Sequence, residues 1–240
     1  MQFISPNELL TALPPVIYER LAPHLQRVRL EAGSVLFDVG ATIDYTWRFI
    51  TSGIVSLLGV TEDGASVEVA MAGRDSVIGF PGIVRKNRTA FRAQAPIACA
   101  ALRVSASALQ AAIKQESEIY VPLLDHTHTL SEQIAQAPVC SQFHPTNQRL
   151  ARWLLLARDR TRNGAFNPTH EAMAQILGVS RSGVSLAAGA LQMKGLIRHA
   201  RGRITLLNPE GLEVSSCECY RILSRTINPS LSPEERLAPD

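Results

Sequence analysis

Residues 169–203 decide the fold of this chain: THEAMAQILGVSRSGVSLAAGALQMKGLIRHARGR. The stretch predicts two short helices joined by a tight turn. Thr169 and Ser180 are candidate N-caps of the two helices, and Gly178 ends the first because glycine readily adopts a left-handed conformation. Apolar residues recur at helical spacing on one face of each helix. They are Ala172, Ile176 and Leu177 in the first helix and Val184, Ala188 and Leu191 in the second.

The opposite face of the second helix is polar, with Arg181, Ser182 and Ser185 followed by Gly189. A short polar helix held at a fixed angle by its predecessor has the shape that enters a DNA major groove. The alternative is an ordinary helical hairpin, since patterns of this length also occur in proteins that bind no nucleic acid.

A basic hairpin follows the two helices and favours DNA binding. A turn containing Gly202 separates the apolar runs 196–197 and 204–207, as in a β-hairpin wing. Residues 146–214 hold 10 Lys and Arg against 4 Asp and Glu, about +6, whereas the rest of the chain holds 14 against 17, about −3. The overall charge of +3 therefore conceals a basic module. The basic side chains of the hairpin are Arg198, His199, Arg201 and Arg203.

With these motifs, and up to about residue 214, the chain resembles the CRP/FNR family of bacterial transcription regulators. The resemblance implies an α+β fold in four parts. These are an antiparallel, cyclic-nucleotide-binding-like β-roll (1–115), a long dimerisation helix with a hinge (116–144), a winged helix-turn-helix domain (145–214) and a C-terminal tail (215–240). The resemblance also implies double-stranded DNA and a second copy of the chain as partners. RNA polymerase and a small-molecule effector of unknown identity are further candidates.

The expected DNA contacts divide into base contacts and phosphate contacts. Arg181 is the best candidate for base reading, because its guanidinium can bond O6 and N7 of guanine together. Well-known family members carry a glutamate and a second arginine at the positions of Ser182 and Leu186, so their target sequence does not transfer to this chain. Ser182 and Ser185 are expected to add base or phosphate contacts. Phosphate anchors are expected at the helix N-termini and on the wing, at Thr169, Ser180, Arg201 and Arg203.

Upstream, residues 26–104 predict many short strands separated by turn glycines, which is typical of an antiparallel roll or barrel. Asp63–Gly64 lies between two apolar runs and indicates a hairpin. Together with the family resemblance, this pattern predicts a cyclic-nucleotide-binding-like domain.

The ligand pocket is where the sequence departs from the cyclic-nucleotide-binding members. In those members a glutamate accepts a hydrogen bond from the ribose, and an arginine with a helix N-terminus neutralises the phosphate. Gly79 and Arg88–Thr89 align with this cassette, but Phe80 replaces the glutamate and Pro81 removes a backbone donor. An unpaired ribose hydroxyl would cost about 1–3 kcal/mol, so cyclic AMP is not the expected effector. The alternatives are a regulator that retains ligand binding through Arg88 and Thr89, and an Arg88 side chain that is simply solvated.

Residues 116–144 predict a long helix with an apolar stripe at alternating steps of three and four. Because the family dimerises through this helix, the stripe is predicted to be a dimer seam. The alternative is that the stripe packs only on the protein's own roll. Pro138 is expected to kink or end the helix, and residues 144–146 to form a hinge. The predicted seam comprises Tyr120, Leu123, Thr127, Leu130 and Ile134, followed by Ala137.

The four cysteines do not indicate a metal or cofactor. Cys99, Cys140, Cys217 and Cys219 follow no zinc-ligand spacing. Some members of the family hold an iron–sulfur cluster with cysteines near the N-terminus. This chain has no cysteine before Cys99, so that kind of cluster is not expected. We therefore expect reduced thiols without a bound metal, and the alternative is a redox role for residues 217–219.

Composition and motifs exclude other classes of protein. No stretch approaches the roughly 20 apolar residues of a membrane span, and the start MQFISPNELL has no secretory pattern, so a cytoplasmic protein without membrane contact is expected. No nucleophile–base motif indicates an enzyme. A cyclic-nucleotide-binding module without DNA activity would leave the basic wing unexplained. The sequence thus predicts a non-enzymatic, sequence-specific DNA-binding transcription regulator that acts as a homodimer.

Overall fold

The glycine-punctuated strands of the N-terminal half form a β-roll, and the helical patterns downstream form a long helix and a small DNA-binding-type domain. The computed structural model describes residues 5–41, 46–79, 88–113, 117–161, 168–200 and 203–227. The helices are α1 (Glu8–Ala12), α2 (Pro15–Leu21), α3 (Ala106–Ile113), α4 (Tyr120–Phe143), α5 (Thr146–Arg160), α6 (His170–Leu177), α7 (Arg181–Met193), α8 (Pro209–Val214) and α9 (Cys219–Ile227). The strands are β1 (Gln26–Leu30), β2 (Val35–Phe37), β3 (Thr46–Ser52), β4 (Val55–Val60), β5 (Ser66–Ala72), β6 (Val77–Ile78), β7 (Arg92–Gln94), β8 (Cys99–Ser105), β9 (Ile197–Ala200) and β10 (Arg203–Leu206).

The roll consists of two antiparallel four-stranded sheets, in the orders β1-β8-β3-β6 and β2-β7-β4-β5. The predicted hairpin joins β4 to β5, and Gly64 in its turn takes a φ of +87°. Trp47 and Phe49 on β3 pack with the N-terminal helices in one core, while Ile50 and Val55 belong to a second core of the roll. The antiparallel roll and the α+β fold are as the sequence predicts.

Helix α4 lies against the roll and is 24 residues long. The side-chain oxygen of Gln133 accepts a hydrogen bond from the Met71 backbone N–H at 3.0 Å, and His126 Nε2 lies 3.3 Å from the Val77 carbonyl oxygen. The helix continues past Pro138, where we expected a kink or an end, and ends before Pro145, whose ring favours the extended conformation seen at His144. Neither α4 nor any other helix among the described residues is long and apolar enough to cross a membrane.

The apolar stripe of α4 packs mainly on the chain's own roll. Leu123 is only 5% exposed in the core formed with α1–α3, and Leu130 and Ile134 pack against the core of the sheets. Within one chain the roll thus covers Leu123 and half-buries Leu130 and Ile134, so the dimer seam stays a prediction for the rest of the stripe. The helix is held by the roll on this side, and heptad spacing alone does not reveal which partner covers a stripe. Of the other predicted seam residues, Tyr120 and Thr127 are exposed and Ala137 is half-buried.

The C-terminal domain is built on α5, whose Trp153 and Leu154 form one core with Val184 and Leu191 of α7. All four side chains are fully buried. Within residues 215–240, which the sequence analysis treats as a tail, α9 packs on α4 and α5. Tyr220 of α9 is buried and its hydroxyl donates to Asp159 Oδ2 at 2.9 Å. Residues 228–240 lie outside the described residues.

Candidate nucleic-acid interface

The helix-turn-helix has the local geometry that its sequence predicts. Thr169 Oγ1 accepts from the Ala172 backbone N–H at 3.1 Å and so caps α6. Gly178 ends that helix with a φ of +60°, in the left-handed region. Ser180 Oγ accepts from the Gly183 N–H at 3.2 Å and caps α7. Each cap satisfies one of the donors that a helix N-terminus leaves unpaired.

Helix α7 divides into a buried face and an exposed face. Val184, Ala188 and Leu191 are fully buried. The predicted DNA-reading residues Arg181, Ser182 and Ser185 are all exposed. Two large apolar side chains lie among the exposed residues of the same helix, Leu186 at 76% and Met193 at 86% exposure. Neither side chain is among the predicted site residues, and their exposure gives this surface an apolar component as well as a polar one.

Several hydrogen bonds and one ion pair orient the polar side chains at the start of α7. The Arg181 guanidinium forms an ion pair with Glu171 of α6. Ser185 Oγ donates to the Arg181 carbonyl at 3.0 Å and lies 3.2 Å from His170 Nδ1. The two hydroxyls of Ser180 and Ser182 lie 2.9 Å apart. Contacts within the chain therefore partly position these side chains.

The predicted wing is an antiparallel pair of strands, β9 and β10. His199 of β9 stacks on His170 of α6 with 4.3 Å between ring centroids, so the wing contacts the first helix of the helix-turn-helix. Burial, and then the charges of His199 and Arg181, lower the pKa of His170. Arg201 lies outside the described residues, and Arg203 begins β10.

The C-terminal domain contacts the roll through a buried carboxylate on β5. Glu68 accepts hydrogen bonds from the Ser56 hydroxyl and, at 3.2 Å, from the Trp153 indole N–H of α5. Burial raises the pKa of the Glu68 carboxyl despite these two donors. A buried ionisable group thus lies where the roll meets the helix that supports the helix-turn-helix.

Two further contacts surround this interface. Ser66 Oγ at the start of β5 donates to the Gln175 carbonyl of α6 at 3.3 Å. At the end of α5, the buried Arg160 Nε lies 3.3 Å from Asp75 Oδ2 in the β5–β6 turn. A groove of about 900 Å³ lies between the β4–β5 turn and the turn of the helix-turn-helix. The roll therefore contacts the helix-turn-helix directly.

Of the predicted ligand pocket, the structure describes Gly79, Arg88 and Thr89. Gly79 is buried with a φ of +103°, and a Cβ there would clash with the Thr46 carbonyl oxygen. Arg88 is exposed. The Thr89 hydroxyl donates to the Phe91 carbonyl at 2.9 Å and accepts from the Phe91 N–H at 3.0 Å. Phe80 and Pro81, on which the cyclic AMP argument rests, lie outside the described residues.

The structure brings Cys140 together with Cys217 and Cys219, which lie far from it in the sequence. Cys140, Cys217 and Cys219 are buried beside His144 where α4, α5 and α9 meet, while Cys99 is buried apart from them in the roll. The local signal for this grouping is Cys140-x-x-x-His144, which places two metal-ligand types one helical turn apart.

A β-roll, a long helix and a winged helix-turn-helix define a DNA-binding transcription regulator with a sensor-type domain. Comparison with known families agrees: residues 27–116 match the cyclic nucleotide-binding domain and residues 148–214 match the Crp-like helix-turn-helix domain. The chain belongs to the CRP/FNR family of transcription regulators, which are not enzymes. No curated protein matches the chain in sequence.

Solved structures share the fold at low sequence identity. A CRP/FNR-family regulator from Eubacterium rectale is 16% identical, covers 88% of this chain and 98% of its own, and has a TM-score of 0.63. FixK2 from Bradyrhizobium japonicum is 17% identical, with coverages of 80% and 98% and a TM-score of 0.66. CLP from Xanthomonas campestris, described as a c-di-GMP-responsive global regulator, is 17% identical, with coverages of 79% and 97% and a TM-score of 0.62. At these identities the likeness concerns the fold alone.

Proposed function

We propose that this regulator binds a two-fold symmetric DNA site as a homodimer. Two copies of α7 would then enter successive major grooves about 34 Å apart. A closed two-fold dimer is the commonest oligomer and matches a palindromic pair of half-sites. The observation that carries the proposal is the division of α7 into one fully buried face and one exposed face that begins with Arg181.

Base reading is assigned to Arg181, with Ser182 and Ser185 adding base or phosphate contacts. To contact a guanine, the Arg181 guanidinium would leave its ion pair with Glu171. It would then exchange one charge-assisted contact for another. The exposed Leu186 offers an apolar contact of the kind made to a thymine methyl group.

Phosphate binding is assigned to the two helix N-termini and the wing. Because the hydroxyls of Thr169 and Ser180 already cap their own helices, we assign the contact at these positions to the remaining backbone N–H groups of each first turn. Arg201 and Arg203 would add sequence-independent contacts from the wing.

For the dimer interface we propose the side of α4 that faces away from the roll, with a second copy as its occupant. Val121 and Leu124 at the start of α4 are 63% and 65% exposed, and Tyr120 beside them is 55% exposed. Val121 and Leu124 are three residues apart, a spacing that suits a helix–helix seam. Covering them would remove the most exposed apolar side chains of the N-terminal half of α4 from water.

We further propose that cyclic AMP is not the effector. The support is Phe80 at the position of the ribose-binding glutamate, together with a Thr89 hydroxyl engaged by the Phe91 backbone. Cyclic AMP is therefore expected to leave both the melting temperature and the DNA affinity unchanged. A ligand at a hundredfold excess over Kd would add about 2.7 kcal/mol to stability, a readily measured shift. Such a shift with cyclic AMP, abolished by Arg88→Ala, would establish binding through Arg88 and Thr89 instead.

The test of the DNA-binding proposal is selection of genomic fragments by the purified full-length protein, followed by sedimentation of the complex on the enriched site. We expect one palindromic motif, two chains per duplex, and an affinity that falls steeply with salt. Equal affinity for random duplex, or one chain on each site, would contradict the proposal.

A further inference from the structure

Three cysteines and one histidine meet at the C-terminal end of the long helix, where α4, α5 and α9 come together. Cys140 lies in the last turn of α4 and His144 is its C-cap residue, while Cys219 begins α9 and Cys217 lies two residues before it. The three sulfur atoms and a histidine ring nitrogen all lie within 4.8 Å of one another. The three thiols are at most 3% exposed, so four ligand-type atoms converge in a buried place.

The distances are those of ligands around a single tetrahedral ion. Cys140 Sγ lies 3.6 Å from Cys217 Sγ, and Cys219 Sγ lies 3.6 Å from His144 Nδ1. Zn–S bonds of about 2.3 Å and a Zn–N bond of about 2.1 Å, at tetrahedral angles, separate two sulfurs by about 3.8 Å and sulfur from nitrogen by about 3.6 Å. The sulfurs of a disulfide would be about 2.0 Å apart, so Cys140 and Cys217 are not joined.

Neighbouring groups orient these ligands as they do in metal sites. His144 Nε2 lies 3.1 Å from Glu218 Oε1, and this hydrogen bond leaves Nδ1 directed at the sulfurs. Carboxylate–histidine pairs of this kind fix the tautomer of metal-binding histidines. Gln136 Nε2 donates to Cys219 Sγ at 3.1 Å.

The charge around the cluster also suits a metal-thiolate centre. Three thiolates, a neutral imidazole and a divalent ion carry a net charge of −1. Arg149 and Arg152 on α5 both interact electrostatically with Cys140. These two cationic side chains would stabilise the excess negative charge, which burial alone would disfavour.

We propose that Cys140, His144, Cys217 and Cys219 bind one structural Zn²⁺ ion. Thiolate and imidazole ligands suit zinc and do not suit magnesium or calcium. Four protein ligands complete a tetrahedral shell and leave no open position, which is the arrangement of structural rather than catalytic zinc. An iron–sulfur cluster spreads its ligands over several iron atoms, whereas these atoms converge on one point.

The ion would join the C-terminal helix to the hinge between α4 and α5. Cys140 and His144 lie directly before Pro145, where the chain turns from α4 into α5. Cys219 begins α9, which packs on both helices, and Cys217 lies just before it. Zinc would therefore fix the angle at which the DNA-binding domain leaves the long helix.

Metal analysis of the full-length protein, purified without chelators or metal-affinity resin, tests the proposal. We expect about one zinc per chain in the wild type and in Cys99→Ser, a control cysteine buried in β8, and loss of zinc in Cys217→Ser. Replacement by Co²⁺ in the wild type should give the visible absorption of tetrahedral cobalt bound to thiolates, a readout that remains if Cys217→Ser does not fold. A wild-type protein without zinc and without this cobalt spectrum, iron with acid-labile sulfide, or a Cys140–Cys217 disulfide would each overturn the assignment.

Glu218→Gln tests the geometry without removing a ligand, and this exposed side chain is not needed for the core. Loss of the carboxylate partner of His144 should weaken zinc binding by about 10- to 100-fold, measured by competition with a chromophoric chelator. Glu210→Gln, at an exposed position on α8, should bind zinc as the wild type does. Equal affinities in the two variants would overturn coordination through His144 as drawn from the structure.

Discussion

At the scale of single residues, Arg181 is the side chain on which DNA sequence recognition should depend most. Because a bidentate arginine–guanine contact discriminates between bases, Arg181→Ala should lower affinity for the specific site by about 1–3 kcal/mol and relax preference at one base pair per half-site. Binding titrations on the selected site and on its single-base variants measure both effects. An equal loss on specific and random DNA would make Arg181 a phosphate contact instead.

The wing arginines should behave differently, which makes them the matched comparison. Replacing Arg201 and Arg203 together by Ala should weaken binding to all duplexes alike and reduce the slope of log affinity against log salt by about one to two units. The measurement is the same titration repeated over a series of salt concentrations. A slope that does not change would remove the wing from the interface.

Glu68 gives the stability of the protein a pH dependence whose sign follows from its burial. Burial raises the pKa of the Glu68 carboxyl in the folded state above its ordinary value of 4.5. The protonated carboxyl therefore stabilises the folded protein fully below pH 4.5, and this stabilisation is lost as the pH rises through the folded-state pKa. Glu68→Gln retains an oxygen that can accept from Ser56 and Trp153 but never ionises. Its melting temperature should exceed that of the wild type at neutral and alkaline pH, and the difference should narrow as the pH falls towards 4.5.

Thermal unfolding over a pH series measures this difference, with Glu62→Gln at the exposed β4–β5 turn as the control. The control should follow the wild type throughout. A Glu68→Gln variant that is less stable at every pH would show that the ionised carboxylate is the stabilising form.

At the scale of elements, the face of α4 that points away from the roll should control dimerisation. Val121→Glu with Leu124→Glu would place four carboxylates at a two-fold interface, which desolvation and like-charge repulsion both oppose. We expect monomers in sedimentation and loss of binding to a palindromic site. Leu123→Glu differs in kind, because it would bury a charge in the core of the roll and should prevent folding.

The control for the α4 variant is Val16→Glu on α2 with Val35→Glu on β2, two valines at 37% and 49% exposure. This variant carries the same added charge and should remain dimeric. A dimer that persists in the α4 variant would move the interface to another surface.

The elements differ in how far the sequence could predict them, and the reason is the range of the contacts involved. The caps at Thr169 and Ser180 and the turn at Gly178 depend on neighbours within four residues, so the helix-turn-helix could be predicted in detail. The stripe of α4 was visible, but whether the roll or a second copy covers it depends on tertiary contacts. The cluster of Cys140 with Cys217 joins residues that are 77 positions apart in a spacing that no local motif prescribes.

At the scale of the whole molecule, the two domains share a hydrophobic core. Ile54, Leu58 and Met71 of the roll belong to the same buried cluster as Trp153 of α5 and Ile176 of α6. The sequence predicted the β-roll and the winged helix-turn-helix domain but could not show that these two pack together. Their contact depends on where α4 places α5. A shared core predicts that the chain unfolds in one cooperative transition, because neither domain can open this face without exposing the other.

Gly73, at the end of β5, is where this contact can be tested by a single methyl group. A Cβ at this position would lie 2.5 Å from Arg160 Cβ and 2.8 Å from its Cγ and Cδ, so α5 would have to move away from the roll. Gly73→Ala should therefore cost about 1–3 kcal/mol through overpacking and divide the single thermal transition into two. Gly59→Ala on β4 is the control, because its Cβ would make only an ordinary contact 3.7 Å from Val69 and should leave the transition intact. One transition with the same midpoint in both variants would show that the roll and the DNA-binding domain are not held together at Gly73 in solution.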